Sequence, residues 1–179
     1  MMIVAIYGVM IYNRLVDIKH SVSQAWSNID ILLKQRHDEL PKLVETCKQY
    51  MGFEQETLKQ VIAARSQVAT AREAGNMSAL GSAENMLRMG LGSLFAVAED
   101  YPELTASDKF QHLQARITGL ENSIADRREY YNEAVRINNV RIEQFPDIIV
   151  AQWFKFMPRD LLEFSDVEKQ DVSIAKLFG

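Results

Sequence analysis

The chain has 179 residues, a length that suits one domain and lets it bury roughly 70% of the surface exposed by its unfolded form. Hydrophobic residues make up 47%, charged residues 25%, and there is one cysteine, which excludes a disordered chain and a disulfide-built one. The formal net charge of -4, with no basic stripe, argues against a nucleic-acid-binding surface.

The first twelve residues, Met1 to Tyr12, carry no charge, and Arg14 is the first side chain that resists entering lipid. A dozen helical residues reach only ~18 Å, short of the ~30 Å hydrocarbon core of a bilayer. A cleaved signal peptide fits poorly, because no basic region precedes the run and no small-x-small cleavage site follows it. Three readings stand for this segment: a shortened transmembrane helix, an interfacial anchor, or an apolar extension of the first helix that packs on protein.

From Leu15 a heptad seam runs through Leu15, Ile18, Val22, Ala25, Ile29 and Leu32, widened by Trp26 and Leu33 to the breadth that a bundle helix buries. Trp26 is therefore expected in the core. Pro41 removes a backbone donor and disfavours helix at Leu40, so a second helix is expected to open there. Its seam is Val44, Cys47, Met51, Leu58, Val61, Arg65 and Val68, with a bend near Gly52 and Glu54.

Glu73-Ala74-Gly75-Asn76-Met77-Ser78 reads as a glycine stop followed by a serine start. A third helix follows on Leu80, Leu87, Leu91, Leu94, Ala98 and Tyr101, ending at Tyr101-Pro102. A fourth carries Phe110, Leu113, Ile117, Leu120, Ile124, Tyr131, Ala134 and Val135 and closes at Phe145-Pro146. Short links between long amphipathic helices favour antiparallel neighbours. The expected fold is thus all-α, an antiparallel up-and-down four-helix bundle with long helices, whose first helix is extended by the apolar N-terminal segment. Beyond it, Ile148 to Phe156 is apolar and aromatic, with Lys155 and Arg159 nearby. It either caps the bundle or lies at a membrane surface.

Chemistry-bearing residues are sparse. Asp17 with His20 has the spacing of a helical metal pair, and Asp108 with His112 is a looser second, but a di-iron bundle needs two Glu-x-x-His pairs and further carboxylates. Cys47 falls on a core seam, where a thiol is inert. No phosphate loop, nucleophile elbow or dinucleotide fingerprint occurs. No catalytic, cofactor-binding or metal residue is assigned, no cofactor is expected, and the chain is read as non-enzymatic. Arg36, Arg65, Arg72, Glu84, Asn138 and Arg141 fall on or beside the seams, either paired inside as a register-fixing network or snorkelling outward.

Taken together, Tyr12-Asn13-Arg14-Leu15, Ala25-Trp26 with Ile29-Asp30, and Arg36 through Leu40-Pro41 to Leu43-Val44-Glu45 resemble the bacterial LemA proteins. Glu56-Thr57-Leu58, Val97-Ala98-Glu99, Tyr101-Pro102, Tyr131-Asn132, Ala134-Val135 and Phe145-Pro146 follow in that family's order, so the likeness covers about Tyr12 to Phe156. It implies a single-pass anchor in the bacterial cytoplasmic membrane with the body on the cytoplasmic side, which Arg14 and Lys19 after the uncharged run also favour.

The division that follows is an N-terminal segment 1–12 as membrane anchor, a LemA-like helical bundle 13–156 and a tail 157–179. Two departures stand out: the apolar start is short for such an anchor, and Ile137-Asn138 occupies a place where the family tends to have an acidic residue and a tyrosine. The functional expectation is a membrane-tethered scaffold or adaptor, in envelope or membrane-stress processes as some relatives imply, with a membrane-shaping or lipid-binding protein as the alternative. The partners expected are the membrane, through the N-terminal segment, and proteins of unidentified kind. A homo-oligomer is compatible with this, and nucleic acid is not expected.

Overall fold

The computed structural model describes residues 2–52 and 54–163, so the tail expected at 157–179 lies outside the described residues beyond Glu163. Six helices follow one another: α1 (Met2–Lys48), α2 (Gln55–Glu73), α3 (Met77–Ala98), α4 (Pro102–Thr105), α5 (Asp108–Glu143) and α6 (Asp147–Trp153). No strand occurs among the described residues, so the all-helical expectation holds.

The expected break at Pro41 is corrected: α1 runs through it for 47 residues. An interior proline costs about 3 kcal/mol, because its ring removes one helical hydrogen bond and crowds the preceding turn. Leu40, Leu43, Val44 and Cys47 around it are all buried, and each fully buried aliphatic side chain contributes roughly 1.5–3 kcal/mol. Burial therefore outweighs the proline. Pro41 itself faces solvent, where water can satisfy the carbonyl it leaves unbonded. The chain breaks instead at 49–54, where only a bend was expected, and Met51 is buried there between the two helices.

Two compact units result. The first takes the chain through Glu39 together with His112–Leu161; the second is built on Leu40–Gln111. In the first, α1 and α5 run antiparallel: Arg116 Nε meets Glu39 at 2.9 Å, Arg36 meets Glu121 at 2.5 Å, the Trp26 and Tyr131 rings lie 5.8 Å apart, and Ile11 and Leu15 cluster with Ile142. Trp26 is half-buried against Tyr131 rather than enclosed in the core, which corrects the expectation for it. Leu15, Val22, Ile29 and Arg36, spaced seven apart, are all buried. Arg36 is only 1% exposed, so the seam charge that most needs a partner has one in Glu121.

In the second unit, α2 and α3 form a hairpin joined by two linked caps. The Asn76 N–H donates to the Ala71 carbonyl and the Gly75 N–H to that of Arg72, with Gly75 at φ +64, the left-handed stop that glycine adopts without steric cost. The Asn76 side chain then accepts from the Ala79 N–H at 2.9 Å and opens α3, two residues before the serine start expected at Ser78. Gly90 lets α3 approach α2, since a Cβ there would already touch Val61 at 3.5 Å. Phe95 and Phe110 meet edge to face at 6.4 Å, and Leu58, Val61, Leu80, Leu87 and Leu94 fill the interior.

Two substitutions test these assignments. Pro41→Ala restores a helical donor at an exposed position, so the melt should shift upward by the equivalent of up to about 3 kcal/mol; a lower melting temperature would show that the proline shapes α1. Arg36→Ala should cost roughly 3–5 kcal/mol and Arg116→Ala, at a position 48% exposed, less than about 1 kcal/mol; equal losses in urea titrations would contradict the burial argument.

Candidate functional site

The residues that set this protein apart from a closed helical body lie at the free end of α1. Ile3 is 80% exposed, Val9 59% and Met10 63%, with Ile6 and Tyr7 also more than half exposed. Among the described residues, a Cβ added at Gly8 would meet nothing within 4 Å. This stretch is helical because it continues a helix already nucleated below it; it adds one hydrogen bond per residue without a new nucleus.

Body contacts begin at Ile11. After α5 the chain turns at Pro146 and forms α6, whose Asp147 side chain is reached by Arg141 at 3.4 Å. Ala151 packs with Ile11, Leu15 and Ile142, and Val150 and Phe156 lie against that cluster. α6 then ends in a second left-handed stop: Phe156 N–H donates to the Ala151 carbonyl at 2.9 Å and Lys155 N–H to that of Gln152 at 3.3 Å. The stop residue is Lys155, with φ 55, not a glycine. The turn sets Phe154 and Phe156 on Tyr12, with ring centroids 4.6 and 6.0 Å away.

Polar side chains of α5 hold the chain that follows. Asn139 accepts from the Arg159 N–H and donates to its carbonyl, both at 2.9 Å, while Asn138 donates to the Met157 carbonyl and Tyr131 Oη to that of Asp160. Burial pushes the Tyr131 hydroxyl pKa upward, so it stays a donor. The segment expected either to cap the body or to face a membrane has both kinds of side chain: Ala151 and Phe156 turn inward, whereas Phe145 is 82%, Trp153 81% and Met157 68% exposed. Sequence reasoning found the aromatics but missed the Asn138-Asn139 clamp and the lysine stop, which carry no periodic signal.

The remaining candidates do not converge. Asp17, His20, Asp108 and His112 are exposed, and no group of three or more His, Cys, Asp or Glu gathers among the described residues. Cys47 is fully enclosed, and desolvation pushes its thiol up to about 11, so it stays protonated at neutral pH. Among the seam polar residues Arg36, Glu84 and Asn138 are buried, while Arg65, Arg72 and Arg141 are half-buried. In the second unit a shallow groove of about 310 Å³ lies between α2 and α3, lined in part by Gln60, Gln67, Met86 and Met89.

No helix of the described residues is long and apolar enough to cross a membrane, so the expected single-pass span is not shown.

Replacing Asn139 with alanine removes both bonds to Arg159. Limited trypsin digestion should then cut after Arg159 several-fold faster with global stability little changed; an unaltered cleavage rate would show that the clamp does not hold this segment.

A family model described as the LemA family matches residues 25–175. Magnetosome protein MamQ 1 of Paramagnetospirillum magneticum is 25% identical over 163 residues, covering 76% of this chain and 59% of its own length. MamQ of Magnetospirillum gryphiswaldense is 23% identical over the same coverage. Protein LemA of Metamycoplasma hominis is 26% identical over 166 residues, covering 92% of this chain and 74% of its own length. The chain therefore spans less than two thirds of the MamQ relatives it matches. With the family match running over most of its length, the chain belongs to the LemA family.

Proposed function

We propose that this protein is a membrane-tethered, non-catalytic scaffold whose helical body presents surfaces to other proteins. The observation that carries the reading is the α1 leader: within an uncharged run, Met2, Ile3, Ile6, Tyr7, Val9 and Met10 are left exposed. Apolar area left in water costs about 25 cal/mol per Å², so several such side chains on one rigid helix favour an apolar cover.

The body suits a scaffold. The antiparallel, up-and-down reading of its long helices is part of this proposal, supported by the α1–α5 pairings and by the tight α2–α3 link. The scattered titratable groups and the enclosed Cys47 support a non-catalytic role, and the open Met86–Met89 groove offers an adaptable surface for a partner.

Ile6→Arg with Met10→Arg puts charges on the leader, each costing up to ~2.5–3.5 kcal/mol if carried to the bilayer centre and less near its surface. The native chain should sediment with phosphatidylethanolamine–phosphatidylglycerol vesicles. The double variant should stay in the supernatant with unchanged helical circular dichroism. A native chain that remains in the supernatant would overturn the tether.

A further inference from the structure

We propose that the corner formed by α6 and its lysine stop is a second, interfacial membrane contact: Trp153, Phe154 and Lys155 lie in the lipid headgroup layer around the base of the leader. The proposal rests on the tether reading and adds to it a site on the body itself, far from the leader in sequence but beside it in space.

Depth comes first. Arg14 marks where the apolar stretch of α1 must leave the hydrocarbon. Tyr12 lies two helical steps, ~3 Å, before Arg14 in α1, so with Arg14 at that boundary Tyr12 stands at the headgroup level. The Phe154 ring is packed 4.6 Å from Tyr12, and Trp153 is its chain neighbour. The α6 end is therefore brought to the same level by contacts internal to the first unit.

The side chains presented there have the chemistry of that layer. Trp153 is 81% exposed on a rigid helix end although a tryptophan in water forgoes a large burial gain. Its indole, apolar with one N–H donor, favours the zone where one edge meets acyl chains and the other meets water. Phe154 and Met157 are exposed beside it.

The cations Lys155, Arg159, Arg14 and Lys19 are also exposed at this end, alongside the acidic Asp17, Glu143 and Asp160, while Asp147 is engaged by Arg141. Lys155 sits at φ 55, where glycine would relieve roughly 1 kcal/mol of left-handed backbone strain. Lys155 is exposed and follows Trp153 and Phe154 directly in the chain, so it brings a cation to the same turn, where anionic headgroups can meet it.

The test uses the full chain with Trp26→Phe, which leaves Trp153 as the sole indole, and vesicles of phosphatidylethanolamine and phosphatidylglycerol. On binding, Trp153 emission should shift to the blue and be quenched more by lipids brominated near the ester linkage than by lipids brominated near the chain end. In the wild-type background, Trp153→Glu should weaken vesicle binding about tenfold with unchanged circular dichroism. Lys155→Gly should leave the melt unchanged or raise it, yet weaken binding to anionic vesicles and not to purely zwitterionic ones.

A chain that sediments with vesicles while Trp153 keeps its emission in buffer and escapes both quenchers overturns this proposal and leaves the tether standing. Failure to sediment at all overturns both.

Discussion

The ion pair between Arg36 and Glu121 sets the register on which the α6 end of the first unit depends. Arg36 is almost wholly enclosed, and a buried guanidinium that loses its carboxylate is strongly penalised, so α1 and α5 are held at one offset. A slip of α5 by one turn would bring Ile117 or Ile124 to Arg36 in place of Glu121, leaving a cation against an aliphatic side chain. With that level fixed, Trp26 meets Tyr131, and Ile142 arrives beside Ile11 and Leu15. The contribution of such a pair is better described as specificity than as stability, since a well-packed apolar pair would hold the helices together without choosing between offsets.

The register also explains why α6 lies where it does. α5 ends at Glu143, one residue after Ile142 joins the Ile11–Leu15 cluster, so the chain turns back at the height of the last contacts of α1. Ala151 and Phe156 enter the same cluster, and Asn138, Asn139 and Tyr131 then tie residues 157–160 to the flank of α5. The inner side of this corner is satisfied by packing and its backbone groups by side-chain partners. What it leaves outside, Trp153 above all, has no counterpart within the unit.

Much of this was legible in the sequence because it is periodic. Buried residues of α5 from Phe110 to Val135 fall on the expected seam, and Gly75 marked the end of α2 because a left-handed stop there suits glycine. The misses have physical reasons. Pro41 was expected to break α1 because local propensity was set against no knowledge of what its neighbours bury; Leu40, Leu43 and Val44 reverse that balance. The stop at Lys155 carries no glycine and so no local signal. Asn138 and Asn139 act on the backbone about twenty residues away, a relation that no spacing rule contains. Leader and corner were both visible as apolar segments, whereas their adjacency, through Tyr12 and Phe154, is a product of the fold.

That adjacency bears on how membrane attachment would proceed. A disordered apolar tail loses conformational freedom when it binds, at a cost on the order of 1–2 kcal/mol per residue for the backbone alone. Here the leader continues a helix whose lower turns are locked by Leu15, Val22 and Ile29, so its backbone is ordered before any lipid is met. The corner residues are likewise fixed in advance by the turn at Lys155 and the ring contacts on Tyr12. An insertion that would be marginal for a flexible peptide would thereby retain most of its transfer free energy, and a second contact on the same unit would add to it with little further entropic loss. The same rigidity carries an orientational consequence for the proposed attachment: a leader that continues α1 without a hinge would point the first unit in a fixed direction relative to a bilayer, which a flexible tether would not do.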